Sequence, residues 1–299
     1  MNQQNGRVIA LGFFDGVHAG HRSLIEMAKL RAEEKNLTPA VMSFDLHPSA
    51  LLSGRSVPLI NSIEDRLEIL SRVYGIQDVI LAHFDETMMH MPWDVFIEDY
   101  LVKQNGAKHL VCGYDFHFGD KGEGNPERLK EKCAALGIGC DVLPCLTMDG
   151  MTVSSTLIRG LLESGGTEAA CRYLSHPHCI SGEVVHGKQL GRTIGIPTAN
   201  LLIPDGVLTP AFGVYATRVY LPDGTVRAAV TNVGVRPTVE DSEKVTVEPW
   251  ILDYEGDLYG RRIRVDFYKY LRGEKKFPGL EALQEEILRN AEETRKLLS

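Results

Sequence analysis

The sequence predicts two domains of different class: an α/β domain built on a doubly wound parallel sheet, then a small antiparallel β domain closed by a C-terminal helix. Three observations carry this. The chain has 299 residues, and at roughly 150 residues per domain that length supports two hydrophobic cores. From Val8 to about Leu174, short apolar runs alternate with helical patterns, which is the grammar of βαβ units around a parallel sheet. From Cys179 onward, closely spaced strand patterns follow one another with turn signals between them and no long helix until the end, as in a small barrel or sandwich. The expected domains are 1–178 and 179–299.

In the first half, Val8–Leu11, Ala40–Phe44, Val79–Ala82, Leu110–Cys112 and Val142–Leu146 read as strands because they are apolar runs too short for helices. Leu24, Met27, Ala28 and Ala32 recur at helical spacing after the first of them. Ser62–Tyr74 reads as a helix with Ser62 as its cap, Asp65 three residues on and Gly75 closing it. Pro126–Leu136 is a second, capped by Asn125 and closed by Gly137. In the second half the strands are Cys179–Val185, Gly213–Tyr220, Val226–Val233, Val245–Leu252 and Arg262–Phe267, with Pro222-Asp223-Gly224 as a turn. Leu280, Leu283, Ile287 and Leu298 mark the closing helix.

Composition narrows the function. Hydrophobic content of 43% with 24% charged residues is globular, which excludes a disordered or low-complexity chain. A net charge of -8 disfavours nucleic acid or an anionic membrane as partner and favours small molecules. The six cysteines form no CxxC pair, so reduced, buried thiols are expected rather than a metal or disulfide framework. No signal peptide or membrane span is evident, and the expectation is a cytoplasmic protein, monomeric or weakly oligomeric.

The most informative stretch is Gly12-Phe13-Phe14-Asp15-Gly16-Val17-His18-Ala19-Gly20-His21, running from the first strand into the first helix. A glycine-bearing strand-to-helix turn brings backbone N–H groups to an anion, and the helix N-terminus adds partial positive charge. His18 and His21 stand within one turn of it, so the junction reads as a nucleoside triphosphate site. Taken alone, these are a helix start with surface histidines, and no third ligand suggests a zinc site. A second stretch, Val153-Ser154-Ser155-Thr156-Leu157-Ile158-Arg159, places hydroxyls at a helix start and a guanidinium one turn on, all able to meet phosphate. By itself it is an ordinary cap; beside the histidine turn in the same half it reads as the rest of the triphosphate site.

These motifs resemble those of the prokaryotic bifunctional riboflavin kinase/FAD synthetases, over nearly the whole length. GFFDGVHAGH, FDLHP at Phe44–Pro48, CGYDFHFG at Cys112–Gly119 and VSSTLIR resemble the nucleotidyltransferase module. GRTIGIPTAN, TNVGVRPT and VEPWILDYEGDLYG resemble the kinase module. The resemblance implies a barrel for the second domain, and FMN plus ATP giving FAD and pyrophosphate in the first. Carried over by position, His18, His21 and Arg159 are its catalytic residues, and Gly12, Phe13, Asp15, Gly16, Asp115, Ser154, Ser155 and Thr156 line its nucleotide site. Adenylyl transfer suits such a set, because it needs donors around an attacked α-phosphate and a departing pyrophosphate and no protein nucleophile. The chain departs from the family at Phe13, where Asn is usual, at Asp45-Leu46, where Glu-Pro is usual, and at Leu157, where a second Arg is common. Each removes a polar contact or alters a pocket wall.

In the second half Gly182 to Lys188 leads through Gly191 to Pro197-Thr198-Ala199-Asn200. Gly187, Gly191 and Gly195 let backbone wrap a nucleotide, and Gly182, Lys188, Gly191 and Pro197 are its implied contacts. Thr198 and Asn200 present two neutral oxygens on alternate residues, enough for magnesium, which keeps several waters and bridges phosphates. Alone, this is a turn before a strand; the resemblance makes it the magnesium–ATP site. Glu248 matches the family's catalytic glutamate, which takes the proton of the riboflavin 5′-hydroxyl, although strict alternation also permits a solvent-facing strand residue. Trp250, Tyr254 and Tyr259 are aromatic enough to stack on a flavin or simply to fill the core. Asn290 stands where the family has Asp, a surface or packing variation. The leading expectation is a two-step enzyme using ATP and magnesium; a kinase alone with a divergent first domain, and a flavin-sensing protein without turnover, are the rivals.

Overall fold

The computed structural model describes residues 6–46, 57–187, 195–236 and 244–298. It divides into two compact units, Met1–Pro58 with Arg66–Ser154, and Leu59–Asp65 with Ser155–Ser299.

The first unit is built on strands β1 (Arg7–Leu11), β2 (Thr38–Phe44), β3 (Asp78–Ala82), β4 (Ala107–Gly113) and β5 (Gly139–Leu143). All neighbours are parallel, in the order β3-β2-β1-β4-β5. Val8, Ile9 and Ala10 of β1 are fully buried, as a central strand covered on both faces requires. The helices are α1 (Ala19–Lys35), α2 (Ile63–Arg72), the short α3 (Glu86–Met89), α4 (Trp93–Val95), which runs on into a π-helical stretch Phe96–Gln104, and α5 (Pro126–Ala135). Asn125 caps α5 by accepting the Arg128 amide at 2.9 Å, and Gly137 ends it in the left-handed region. The last strand starts earlier than the apolar run Val142–Leu146 implies, because the chain pairs with β4 as soon as it leaves that glycine. Leu146 instead accepts the Val153 amide around a hairpin of β6 (Thr147–Met148) and β7 (Met151–Thr152).

The second unit is an antiparallel sheet of β8 (His178–Glu183), β9 (Leu201–Leu202), β10 (Gly213–Tyr220), β11 (Val226–Arg236), β12 (Lys244–Ile251) and β13 (Arg262–Arg272), in the order β8-β13-β10-β11-β12-β9. A Val184–Leu201 bridge and a 2.8 Å bond from the Val185 amide to the Asn200 carbonyl bring the two edges together, so the sheet is a nearly closed barrel. Its interior holds Tyr215, Val219, Ala229, Val233, Val247 and Val265. Helix α8 (Leu280–Leu298) covers part of the outside, where Ala291 packs with Val214, Val230 and Leu252. Helices α6 (Ser155–Glu163) and α7 (Thr167–Leu174) belong to this unit too, whereas the sequence reading assigns residues up to 178 to the first domain. The segment Leu59–Asp65 is also part of it: the Leu59 amide donates to Gly206 and Asn61 Nδ2 to the Cys179 carbonyl.

Candidate functional site

The first site grows out of β1. At its carboxyl end the chain passes through Gly12 into a tight turn, with Phe14 and Gly16 both at positive φ and Asp15–Val17 forming a single 3-10 turn. This end of β1 lies between β2 and β4, where the strand order reverses and where open α/β sheets bind ligands. His18 is the N-cap of α1, its Nδ1 accepting the His21 amide at 3.3 Å. The two imidazoles stack with centroids 3.7 Å apart and planes inclined by 14°. Gly20 permits this, since a Cβ there would lie 3.1 Å from the His18 ring.

Burial, and then the positive fields of His18 and Arg66, hold the His21 imidazole well below its ordinary range. Its Nδ1 is buried without a hydrogen-bond partner. At neutral pH His21 is therefore an uncharged ring that can donate or accept without first losing a proton. Asp15 is buried in the turn, and Phe13 is anchored by its carbonyl, which accepts Ser43 Oγ at 2.7 Å and Arg66 Nη1 at 3.2 Å. The Arg66 guanidinium lies 4.4 Å from the Phe13 ring centroid. Asp115 is exposed just beyond the carboxyl end of β4, on the same edge of the sheet as the turn. Asp45, beyond β2, lies 2.6 Å from His83 Nδ1 and accepts the Phe84 amide at 3.0 Å. Against the upward push of burial, those bonds hold the Asp45 carboxyl below its ordinary value.

The second hydroxyl motif straddles the division of the chain: Ser154 closes the first unit and Ser155 opens the second. Ser155 and Thr156 form the first turn of α6, with half-buried Arg159 four and three residues on, so all three share a helix face. Leu157 is half-buried on the same helix.

The barrel builds another site. Val247 points into the core, and Glu248 therefore faces outward, opposite Asn232 of β11. Thr246, on the same face, donates its hydroxyl to Glu248 Oε1 at 3.0 Å. The Ala199 amide donates to the Pro249 carbonyl at 3.0 Å, which seats Pro197-Thr198-Ala199-Asn200 beside the glutamate. Asn200 is buried, with its Nδ2 3.4 Å from the Thr198 carbonyl. A Cβ on Gly187 would come within 2.5 Å of that amide, so glycine is needed for the close approach. Thr198 and Asn200 supply neutral oxygens, and among the described residues no cluster of three or more His, Cys, Asp or Glu can hold a metal. That donor set fits magnesium carried in with phosphates.

Gly182 lies within β8, paired with Ile263, and Pro197 is exposed. Lys188 and Gly191 lie outside the described residues. Tyr259 stacks on His186 at 3.9 Å, Tyr254 packs against the barrel core, and Trp250 joins the cluster under α8. Asn290 is a packing rather than a surface position: it is buried and accepts Arg272 Nε at 3.1 Å. The motifs did not single out Arg66 or Glu274. The latter reaches over Gly234, where a Cβ would lie 2.7 Å from its Oε1 and 3.3 Å from Asn232 Nδ2.

The FAD synthetase family profile matches residues 1–157 and the riboflavin kinase profile residues 174–298. The bifunctional riboflavin kinase/FMN adenylyltransferase of Bacillus subtilis is 36% identical, over 99% of this chain and 94% of that protein. The protein of the same description from Escherichia coli K12 is 37% identical over 96% and 91%. A crystal structure described as a macrolide-efflux protein from Streptococcus pneumoniae superposes with a TM-score of 0.86 at 30% identity, over 99% of this chain and 95% of that one. Among the described residues, no helix of the present chain is long and apolar enough to cross a membrane. With both profiles matched in order and full-length relatives above 30% identity, the chain belongs to the bifunctional riboflavin kinase/FMN adenylyltransferase family.

Proposed function

We propose that the chain converts riboflavin to FMN at the barrel and FMN to FAD at the parallel sheet, using ATP in both steps. The observation that carries this reading is that each unit brings together residues suited to meeting phosphate: the His18–His21 turn at a switch point, and Thr198–Asn200 braced beside Glu248. At the first, turn amides and the two imidazoles donate to the triphosphate, and charge passing from the α-phosphate to pyrophosphate is met by donors already in place. Gly12, Asp15 and Gly16 shape that turn; Ser154, Ser155, Thr156 and Arg159 are assigned to phosphate oxygens, and Asp115 to the nucleotide.

At the barrel, Glu248 takes the proton of the riboflavin 5′-hydroxyl as it attacks the terminal phosphorus, and Thr246 orients the carboxylate. Thr198 and Asn200 would hold magnesium, which would supply charge neutralisation at the phosphates. The functional division proposed is 1–178 and 179–299. Buried thiols at Cys112, Cys133 and Cys179 support a reducing, cytoplasmic setting. A monomer or weak oligomer without nucleic-acid partners fits the net charge of -8.

Incubating the protein with magnesium ATP and FMN tests the first module. Flavin fluorescence falls as the adenine of FAD stacks on the ring. Unchanged FMN, with riboflavin still phosphorylated, would leave a kinase alone.

A further inference from the structure

We propose that Arg66 is a positioning residue of the adenylyl-transfer site, clamping the Gly12–His18 turn to the end of β2. This inference rests on the assignment of FAD synthesis to the first unit.

The geometry is a three-point clamp. Arg66 Nη1 donates to the Phe13 carbonyl at 3.2 Å, to Ser43 Oγ at 2.9 Å and to the Phe44 carbonyl at 2.9 Å. Ser43 Oγ donates in turn to the Phe13 carbonyl at 2.7 Å, so the first residue of the turn with a side chain is held from two sides. The Phe13 ring lies against the guanidinium with its centroid 4.4 Å away, within range of a cation–π contact. The aromatic face of Phe13 thus covers the cation.

The cost of this arrangement argues that it serves more than stability. Arg66 is fully buried, and its Nε and Nη2 have no hydrogen-bond partner. A buried cation with unsatisfied donors is expensive, and an apolar side chain of similar size would fill the space with no such penalty. What an apolar side chain cannot do is fix two carbonyls 31 residues apart in the chain, Phe13 and Phe44 (44 − 13), or place a permanent positive charge near the imidazoles. The titratable and charged groups that act on His21 are His18 from its own turn and Arg66 from α2. Asp15, also in the turn, is the carboxylate that acts on Arg66.

The test uses the full chain and three variants, Arg66→Met, Arg66→Lys and Ser43→Ala. FAD formation, riboflavin phosphorylation, thermal unfolding and the pH profile of kcat/KM for FAD formation, from about pH 5 to about pH 8, are measured on each. Arg66→Met is expected to lower FAD formation about 10- to 100-fold with riboflavin phosphorylation unchanged, and to move the acid limb of the profile upward because a cation near His21 has been removed. Arg66→Lys keeps the charge and so keeps the profile, but a point donor cannot hold both carbonyls and the rate stays low. Ser43→Ala falls between the wild type and Arg66→Met in rate, with the wild-type profile.

Wild-type FAD rates in the three variants would overturn the proposal. So would a loss in Arg66→Met with an unmoved profile, which marks a purely structural residue. Should Arg66→Met fail to fold, the Lys and Ala variants decide by the same criteria. A wild-type chain that makes no FAD would instead overturn the functional assignment on which the inference rests.

Discussion

His18 Nδ1 accepts the His21 amide at 3.3 Å while the two rings stack 3.7 Å apart. One imidazole thus caps the helix and the other lies flat against it, and an acceptor Nδ1 on His18 leaves Nε2 as its N–H in the neutral ring. Burial first, and then the neighbouring His18 and Arg66, hold His21 well below its ordinary value of 6.5.

The first prediction concerns that pair. His21→Ala should slow FAD formation about 100-fold or more, as for loss of a donor aimed at developing charge, with FMN formation unaffected. In the wild type, rates at the first module should hold as pH falls through 6.5 and fail only further down, because His21 titrates below that value. Stopped assays of the two products on one preparation, repeated across pH, check both statements.

Glu248→Gln keeps the shape of the site and the Thr246 contact but removes the base. FMN formation should drop about 10²- to 10⁴-fold, with nucleotide binding by titration calorimetry retained. A variant turning over normally would reassign proton removal to another group.

At Gly187 the expected defect is steric. A methyl group there would sit within 2.5 Å of the Asn200 amide, and overpacking of about 1–3 kcal/mol would displace a proposed magnesium ligand. Gly187→Ala should therefore raise KM for magnesium ATP in riboflavin phosphorylation roughly tenfold, leaving FAD formation from FMN at its wild-type rate.

His178 makes the barrel acid-sensitive. The ring is fully buried with both nitrogens unpartnered, and burial, followed by the charge of His176, pushes it down from 6.5 to about 3. Above 6.5 it is neutral in both folded and unfolded chains and adds no pH dependence; as pH falls from 6.5 toward 3 the unfolded chain takes up a proton that the folded one refuses. Stability is lost over that window. His178→Leu should flatten the decline, read as the urea midpoint followed by circular dichroism at successive pH values; an equally steep decline would place the acid sensitivity elsewhere.

Much of this was legible in the chain because the decisive chemistry is local. Ser62 and Asp65 form the predicted cap, the Asp65 amide donating to Ser62 Oγ at 3.1 Å. Gly75 and Gly137 end their helices at positive φ as their positions imply, and the alternation around Val247 places Glu248 outside the barrel. The hidden part is tertiary. Arg66 sits in a helical pattern where an arginine reads as solvent-facing, and nothing nearby reveals that its acceptors lie 22 and 53 residues away. Likewise α6 and α7 continue the helical pattern of the first half, yet pack with the barrel. Helical periodicity indicates that a face is buried; it does not specify the surface against which that face packs.

The most direct measurement is chromatography of the flavins formed from riboflavin and magnesium ATP by the wild type, His21→Ala and Glu248→Gln. The account predicts FMN followed by FAD from the wild type, FMN that accumulates without FAD from His21→Ala, and unconverted riboflavin from Glu248→Gln, which still turns added FMN into FAD. FAD formed by His21→Ala at the wild-type rate, or one substitution abolishing both steps in a folded chain, would contradict the assignment of one reaction to each site.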